Sequence, residues 1–334
     1  MRVFTPKMQR AAPRLALARV QRYRRARRVG AMGAAGCCLV GAWASVGEPA
    51  TATSPGLNGK LVVAAGFDGD LWSGRPDGTG SRQLTSGSGF GEFDDCPAVS
   101  PSGSLIAFCR SDEAGGYDLW IIDADGGNAR QLTDFPADPP TASSDPTFSS
   151  SLPRVAFVFV RDFNSVGAVP GLTYDIRSVR TDGTDVRRLT RSAAWHDFSP
   201  AFSPDGHRLL WVREGATQRN DHRTELWIMR ANGKDKRRLR SDINSGQSAD
   251  WSPGGGLIVY RSGGALNIVR ANGTLQRRIA KRGSDPVWSP NGRWIAYRTG
   301  PRIELVSRDG STTRLVTRFW ERPLGDFTWQ PRPQ

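Results

Sequence analysis

A short pattern of turn residues recurs along this 334-residue chain and constrains its fold more than any other feature of the sequence. The pattern is Ser-Pro-x-Gly, in which proline presets φ at the second position and glycine accepts the left-handed conformation at the fourth. An apolar run follows each copy, as expected for a strand entered from a tight turn. The copies begin at Ser100, Ser203, Ser252 and Ser289, and a decayed copy is Phe148-Ser149-Ser150-Ser151.

A second tight turn, Asx-Gly, follows a third predicted strand in every repeat. Asx-Gly between two strands is the strongest short hairpin signal. A fourth strand closes each unit, and in the first three units it has the pattern Arg-x-Leu-Thr. Four antiparallel strands in each of six repeats predict an all-β, six-bladed β-propeller over residues 60–331. The six turns begin at Asp77, Asp125, Asp182, Asn232, Asn272 and Asp309.

The two ends of the repeat array are incomplete in complementary ways. The first unit has only strands two to four and starts with Leu61-Val62-Val63-Ala64, whereas the final segment, Asp326 to Pro331, matches a first strand. We therefore expect the C-terminal strand to pair with residues 61–64 and to close the ring. Closure of this kind leaves no exposed strand edge at the junction.

The N-terminal region is strongly basic and differs from the rest of the chain. Residues 1–28 carry ten of the positive charges and no acidic residue, and without them the net charge of +14 falls to +4. The high pI therefore does not indicate a nucleic-acid-binding protein. The apolar residues 29–46 within segment 29–52 predict a signal peptide or a signal anchor, followed by a linker at 53–59. We expect export to the cell envelope, the periplasm or the extracellular space.

The repeats resemble those of TolB-like propellers. The resemblance rests on Asp-Pro-x-Trp-Ser-Pro-Asx-Gly-x-x-Ile-Ala-Tyr, seen at residues 285–297, and on the Leu-Trp, Asx-Gly and Arg-x-Leu-Thr segments of the other repeats, and it covers residues 60–331. The third repeat departs most, because its first turn lacks Pro and Gly and it carries an insertion at 162–173. TolB has an α/β domain before its propeller, which residues 53–59 cannot hold, so the resemblance implies the fold but not TolB's role in outer-membrane integrity.

The residues directly before the first-strand proline position are candidates for a site. The first strand of each propeller blade lines the central channel, so these residues should lie at one mouth of it. The three carboxylates among them could hold a cation through oxygen ligands or bind a basic side chain of a partner. Alternatively, each accepts hydrogen bonds from neighbouring backbone N–H groups and joins the blades. The six residues are Cys96, Asp145, Ser199, Ser248, Asp285 and Asp326.

Two histidines of the fourth repeat, His196 and His222, are predicted in loops on the same side as these residues. With Asp197 and Asp221 they could form a metal or acid–base site, or they are ordinary solvated histidines. The sequence contains no Gly-x-Ser-x-Gly elbow and no α/β domain to carry one, which argues against a prolyl-peptidase-like hydrolase.

A disulfide is predicted between Cys96 and Cys109. A hairpin centred on Ser102-Gly103 places the two cysteines directly opposite one another, at a Cβ separation that needs little adjustment for a disulfide. Export would make such a bond sensible.

The fourth strands are rich in arginine, and we favour protection of the blade edges over a polyanion groove as the reason. The resulting hypothesis is an exported, monomeric, non-catalytic propeller without a cofactor. It binds a protein or a cell-envelope component through its channel mouth, does not bind nucleic acid, and meets the membrane only through its N-terminal segment. The alternative is a carbohydrate-active lyase or hydrolase that uses the channel carboxylates and histidines.

Overall fold

The described residues lie within Trp43–Asn164 and Gly171–Gln334. The basic region 1–28, segment 29–52 and most of the linker lie outside the described residues, as does the insertion up to residue 172. Within the described ranges, no helix is long and apolar enough to cross a membrane. The computed structural model describes residues 58–65, 69–74, 80–86, 93–111, 116–135, 141–161, 173–192, 194–215, 223–241, 243, 248–300, 302–318 and 324–331.

The described chain is all-β and forms the predicted six blades of four antiparallel strands each. Blades two and three are joined in one eight-stranded sheet by a parallel pair between Tyr117 and Ala142. Blades one to three contain β1 (Asn58–Ala65), β2 (Asp70–Gly74), β3 (Arg82–Gln83), β4 (Asp94–Val99), β5 (Leu105–Ser111), β6 (Tyr117–Asp123), β7 (Arg130–Gln131), β8 (Thr141–Phe148), β9 (Arg154–Arg161), β10 (Thr173–Arg180) and β11 (Arg187–Arg188). Blades four to six contain β12 (Trp195–Phe202), β13 (Arg208–Gly215), β14 (Thr224–Arg230), β15 (Arg237–Arg240), β16 (Ala249–Trp251), β17 (Leu257–Ser262), β18 (Ala265–Arg270), β19 (Gln276–Ala280), β20 (Ser284–Trp288), β21 (Trp294–Thr299), β22 (Arg302–Ser307) and β23 (Thr313–Arg318), and the last strand is β24 (Leu324–Pro331).

The last strand completes the first blade. β24 pairs antiparallel with β1, with Leu61 opposite Trp329 and Val63 opposite Phe327, so blade one has the order β24-β1-β2-β3. The predicted pairing of the C-terminal strand with residues 61–64 is confirmed. The first strands β24, β4, β8, β12, β16 and β20 contact one another in that order, which places them on the inner side of the blades.

The serine of the Ser-Pro-x-Gly turn holds the strand that follows it. The hydroxyl of Ser289 accepts a hydrogen bond from the amide of Trp294 at 2.8 Å, and Ser100 receives the amide of Leu105 at 3.0 Å in the same way. In the decayed copy the Ser149 hydroxyl instead accepts the amide of Leu152 at 3.2 Å, within the turn and before β9 begins. The serine still bonds a backbone amide where proline and glycine have been lost, but it does not hold the first residue of the next strand.

The Asx-Gly turns pack closely against the backbone of the preceding blade. Gly126 has φ +90°, and a Cβ atom there would lie 2.8 Å from the backbone oxygen of Leu84 in blade one. Gly273 has the same φ and would meet the oxygen of Leu239 at 3.2 Å. Both the left-handed conformation and the close approach of two backbones require glycine at these turns.

The hydrophobic core lies between neighbouring blades. One cluster joins Trp251 to Leu226 and Ile228 of the preceding blade, and the next joins Trp288 to Val259 and Leu266. The Trp251 indole also donates to the backbone oxygen of Ala201 at 3.1 Å. Because each of these first-strand tryptophans fills the gap to the preceding blade, the same packing recurs from one blade to the next.

Deleting residues 324–334 should abolish cooperative unfolding. The deletion removes β24, exposes the β1 edge and strips blade one of its inner strand. Circular dichroism during thermal unfolding measures the effect, and an unchanged transition would contradict the role given to β24.

Gly126→Ala should lower the free energy of unfolding by roughly 1–3 kcal/mol, because the alanine adopts a left-handed φ and meets the Leu84 carbonyl. Gly254→Ala is the matched control, since its added Cβ has no heavy atom within 4 Å and its φ is not left-handed. Urea unfolding of both variants measures the difference, and equal stabilities would refute the close-approach explanation.

Candidate functional site

Four first strands carry a β-bulge at the same place, directly before a proline. Cys96, Asp145, Ser199 and Asp285 have φ values of +47°, +49°, +46° and +51°. Non-glycine residues rarely adopt this conformation, and a residue before proline is normally extended. The strand register shifts at each of these points, and a bulge re-aims a side chain. Four of the six predicted mouth residues therefore share one specialised backbone geometry.

The other two predicted mouth residues differ. Ser248 precedes β16, is half-buried, and its carbonyl accepts the amide of Arg261 at 3.2 Å. Asp326 lies in β24, but its side chain is outside the described part of the structure, as is all of His222. The predicted pairing of His196 with His222 thus stays a prediction.

Cys96 and Cys109 form a disulfide with a Cα–Cα distance of 5.8 Å. Their expected direct opposition is wrong, because Asp95 rather than Cys96 faces Cys109 in the strand ladder. The bulge adds one residue to β4 between the pairs Asp95–Cys109 and Ala98–Ala107. In a regular strand, Cys96 would follow Asp95 on the opposite face of the sheet from Cys109. The left-handed conformation of Cys96 instead directs its side chain to Cys109.

The Asp285 carboxylate is held by side chains of its own blade. Its Oδ2 atom accepts the Ser284 hydroxyl at 3.1 Å and lies 3.8 Å from Nε of Arg298. In the described ranges, no group of three or more His, Cys, Asp and Glu residues could hold a metal ion. The predicted cation site includes Asp326, so it remains a prediction.

Two equivalent ion pairs brace the first and second strands of blades two and four. Arg110 donates to both oxygens of Asp94 at 2.7 and 2.8 Å, and Arg213 donates to both oxygens of Asp197 at 2.7 and 2.9 Å. Both aspartates lie two residues before a bulge, and each pair is separated by 16 residues. This shared spacing was a signal that could have revealed them in the sequence. Bidentate pairs of this kind fix geometry as well as charge.

Aromatic rings cover both guanidinium groups. The Arg213 guanidinium lies 4.9 Å from the ring centroid of Trp227 and 5.7 Å from that of Trp211, whose indole also donates to Asp197. Arg110 contacts Phe108 and Trp120 similarly, at 5.3 and 4.8 Å. The two aspartates are therefore ion-paired and buried.

His196 is a strand residue rather than the predicted loop residue, because β12 begins at Trp195 and carries it into the interface with blade three. Its side chain is only 8% exposed and packs edge-on against Tyr174 at 4.8 Å. Burial lowers the pKa of His196 to about 4, although the neighbouring Asp197 raises it. The imidazole is neutral at neutral pH, and its Nδ1 atom has no hydrogen-bond partner among the residues that the structure describes.

Asp250 is a buried carboxyl that sequence reasoning missed. It accepts the amide of Trp251 at 2.8 Å and the amide of Trp288 in the next blade at 2.9 Å. Burial raises its pKa to about 7, against the lowering effect of these two hydrogen bonds. Asp250 therefore joins blades five and six by accepting backbone amides, which is the alternative role expected for the mouth carboxylates.

A family model described as the TolB beta propeller domain matches residues 111–319. The chain belongs to this family. A search of curated proteins gave no significant match. The TolB-family fold explains the recurrent turns, the four-stranded blades and their antiparallel order.

Three solved structures illustrate the likeness. TolB from Acinetobacter baumannii has 18% identity and a TM-score of 0.61, with 82% of this chain and 66% of that chain covered. A nidogen/laminin complex has 10% identity and a TM-score of 0.62, covering 81% and 98%. An oligogalacturonate lyase in complex with manganese has 14% identity and a TM-score of 0.53, covering 75% and 70%. At these identities the likeness shows the fold alone.

The described acids and histidine of this TolB-family propeller are mainly engaged in holding its blades. Asp94 and Asp197 are ion-paired, Asp250 accepts backbone amides and His196 is buried. What the bulges offer chemically is a fixed set of different side chains: a disulfide, a hydroxyl and two carboxylates.

Replacing Asp250 by Asn removes a titrating group and keeps one acceptor oxygen. Because the folded pKa lies above the usual value of 3.8, the carboxyl stabilises the fold fully below about pH 4, and this contribution is lost as pH rises through about 7. The free energy of unfolding of the wild type should therefore fall relative to that of the variant, by at most about 1.4 kcal/mol per pH unit.

Urea unfolding across this pH range measures the difference. Asp125→Asn, on an exposed turn, is the control for the loss of one carboxylate. A stability difference between wild type and Asp250→Asn that does not change with pH would contradict the burial effect.

Proposed function

We propose that this TolB-family propeller is an exported, non-catalytic scaffold that binds a protein or cell-envelope partner at its mouth face. The mouth face is defined by the bulge residues Cys96, Asp145, Ser199 and Asp285. The observation that carries the proposal is the left-handed bulge repeated before proline in four blades. The proline after each bulge residue restricts the backbone, and the disulfide restrains the bulge of blade two, so these side chains are preorganised. Preorganisation reduces the entropy lost on binding.

The titratable groups near this face favour binding over catalysis. A general acid or base needs a pKa near the working pH and access to its substrate. His196 is buried with a lowered pKa, and Asp94 and Asp197 are bound by arginines. Asp250 has a pKa of about 7 but is enclosed between blades five and six.

Similar structures are consistent with a binding role. The nidogen/laminin structure is by its title a complex, and a chain of it has the fold of this chain. A protein of this fold is therefore found in a complex, which supports the proposed binding role. Export is part of the proposal, since disulfides such as Cys96–Cys109 persist in oxidising compartments.

A lyase is the second candidate. Asp145 and Asp285 occupy equivalent bulges, and a structural neighbour is an oligogalacturonate lyase with manganese. A cation held by these carboxylates would be the first requirement of such an enzyme.

A double variant, Asp145→Asn with Asp285→Asn, separates the two candidates. Asparagine tolerates the left-handed conformation, so the variant removes two charges and keeps the bulges. Capture of partners from the cell-envelope fraction, identified by mass spectrometry, should weaken about tenfold if the partner is basic at this contact. Asp125→Asn with Asp182→Asn is the matched control, because it makes the same charge change on the exposed second turns.

The result that would contradict the scaffold is equal capture by wild type, variant and control. Manganese binding in calorimetry that the mouth variant abolishes and the control keeps would favour the lyase instead. The two assays use the same preparations of the full chain. An unfolding curve recorded for each variant shows whether that variant is folded.

A further inference from the structure

Charge is distributed unequally around the propeller. Residues 58–194 contain 12 Lys and Arg against 18 Asp and Glu, whereas residues 195–331 contain 23 against 13. Blades four to six and the final strand thus carry a net charge of +10, opposite in sign to the −6 of the preceding part. An asymmetry between halves of one domain points to an anionic partner for the basic half.

Edge protection does not account for this excess. In blade three, Asp185 lies 2.6 Å from Arg187 and 2.8 Å from Arg154, so its turn offsets the cations beside it. The Asx residue of the second turn is Asp182 in blade three, whereas it is Asn232 in blade four and Asn272 in blade five. One charged side chain suffices to block a strand edge, and blade three achieves this without a large excess of positive charge.

The asparagines make the same turn as the aspartates. The side-chain oxygens of Asn232 and Asn272 each accept the amide two residues later at 3.0 Å, and Asp182 accepts the equivalent amide at 2.9 Å. Asn and Asp therefore form the same turn at this position. The use of asparagine in blades four and five leaves a negative charge out of a basic surface. Asp235 of blade four is offset by Arg230 at 2.6 Å.

A group of exposed cations from blades four to six shares one face. The second turn of each blade lies against its first turn, since Ala231 donates to the carbonyl of His207 at 2.9 Å and Ala271 donates to that of Gly256 at 3.0 Å. We call this the turn face; it is opposite to the mouth face, because successive strands of a blade are antiparallel. The cationic part of the turn face, which we call the basic edge, comprises the exposed residues Arg230, Lys234, Lys236, Arg237, Arg270, Arg277 and Arg308.

The basic edge is continuous from blade to blade. Arg237 of blade four donates to the carbonyl of Ala271 in blade five at 3.2 Å. Arg277 of blade five donates to the carbonyl of Arg308 in blade six at 2.8 Å. Each of these fourth strands thus reaches the second turn of the next blade, and the cations form one stripe rather than separate clusters.

An exposed leucine lies within this stripe. Leu275 is 52% exposed and has φ +52°, and the equivalent residues of blades two to four are Asn128, Asp185 and Asp235, with φ values of +53° to +54°. Asn and Asp suit this conformation, whereas leucine is rare in it. Leu315 of blade six is also exposed. Apolar side chains beside Lys and Arg are typical of surfaces that lie on a lipid headgroup layer, and a purely anionic polymer would gain nothing from them.

The chain also enters the propeller on the turn face. Asn58 opens β1, the second strand of blade one, and pairs with Pro331 at the end of β24. Second strands begin at the first turn, so residues before 58 leave from this face. The 11 residues between the predicted apolar run 29–46 and β1 reach at most about 40 Å, which would keep the turn face close to a bilayer that held this run.

From these observations we propose that the basic edge docks on an anionic lipid bilayer, with Leu275 entering the headgroup layer. This adds a second membrane contact to the one expected from the N-terminal segment. Docking in this orientation directs the mouth face away from the lipid. The membrane proposal therefore does not depend on the scaffold function.

The test uses the full chain bound to vesicles of phosphatidylcholine alone or with added phosphatidylglycerol. Hydrogen exchange should show protection of amides 231–238 and 271–278 on the anionic vesicles only. Asn232→Asp with Asn272→Asp keeps both turns and should remove this protection. Phosphatidylglycerol should raise the vesicle affinity of the wild type, and this double variant should reduce that rise roughly fivefold for each added charge.

The matched control is Ala129→Asp with Val186→Asp, which adds two negative charges to exposed second-turn positions of blades two and three. The leader is the same in every variant, so any difference reports on the propeller. The control should keep the protection. Equal loss in both double variants, or equal exchange on neutral and anionic vesicles, would overturn the proposal.

Leu275→Asn distinguishes a bilayer from an anionic polymer. Asparagine suits the left-handed conformation, so the fold should be unchanged or stabilised while binding to anionic vesicles falls about threefold or more. Unchanged vesicle binding by this variant, with heparin retention lost only in Asn232→Asp with Asn272→Asp, would overturn lipid docking in favour of a polymer.

Discussion

The contact between each Asx-Gly turn and the fourth strand of the preceding blade is the constraint on which the rest of the propeller depends. The glycine lets two backbones approach within distances that a Cβ would prevent, as at Gly126 and Leu84. Arginines of the fourth strand then reach the carbonyls of that turn, as Arg277 does with Arg308. This spacing sets the gap that the first-strand tryptophans fill, so turn chemistry, polar contacts and core packing agree on one blade-to-blade geometry.

Much of the fold was predictable because its signals are local and repeated. Ser289 and Gly292 specify a turn within a few residues, and the copies fix the blade number. Pairing of β24 with β1 was predictable because two incomplete units complement one another. Local turn preference summed over six repeats is stronger than any single strand propensity.

The candidate site was less predictable because it depends on departures from regular geometry. Strict alternation placed Cys96 opposite Cys109, and only the backbone reveals the bulge that puts Asp95 there. His196 was expected in a loop since strand ends are not encoded sharply, and its burial depends on Tyr174 of another blade. The contacts of Asp250 with Trp288 span 38 residues, and a pattern within one repeat carries no information about them.

The position of β24 also affects how the chain reaches its folded state during synthesis. Blade one cannot form its sheet until Leu324–Pro331 have been made, about 260 residues after β1, or on the order of 13–50 s at typical translation rates. During that interval β1 presents an unpaired edge and the ring is open. The proposed export would benefit from this order of events, because the final structure is withheld until the last strand has emerged.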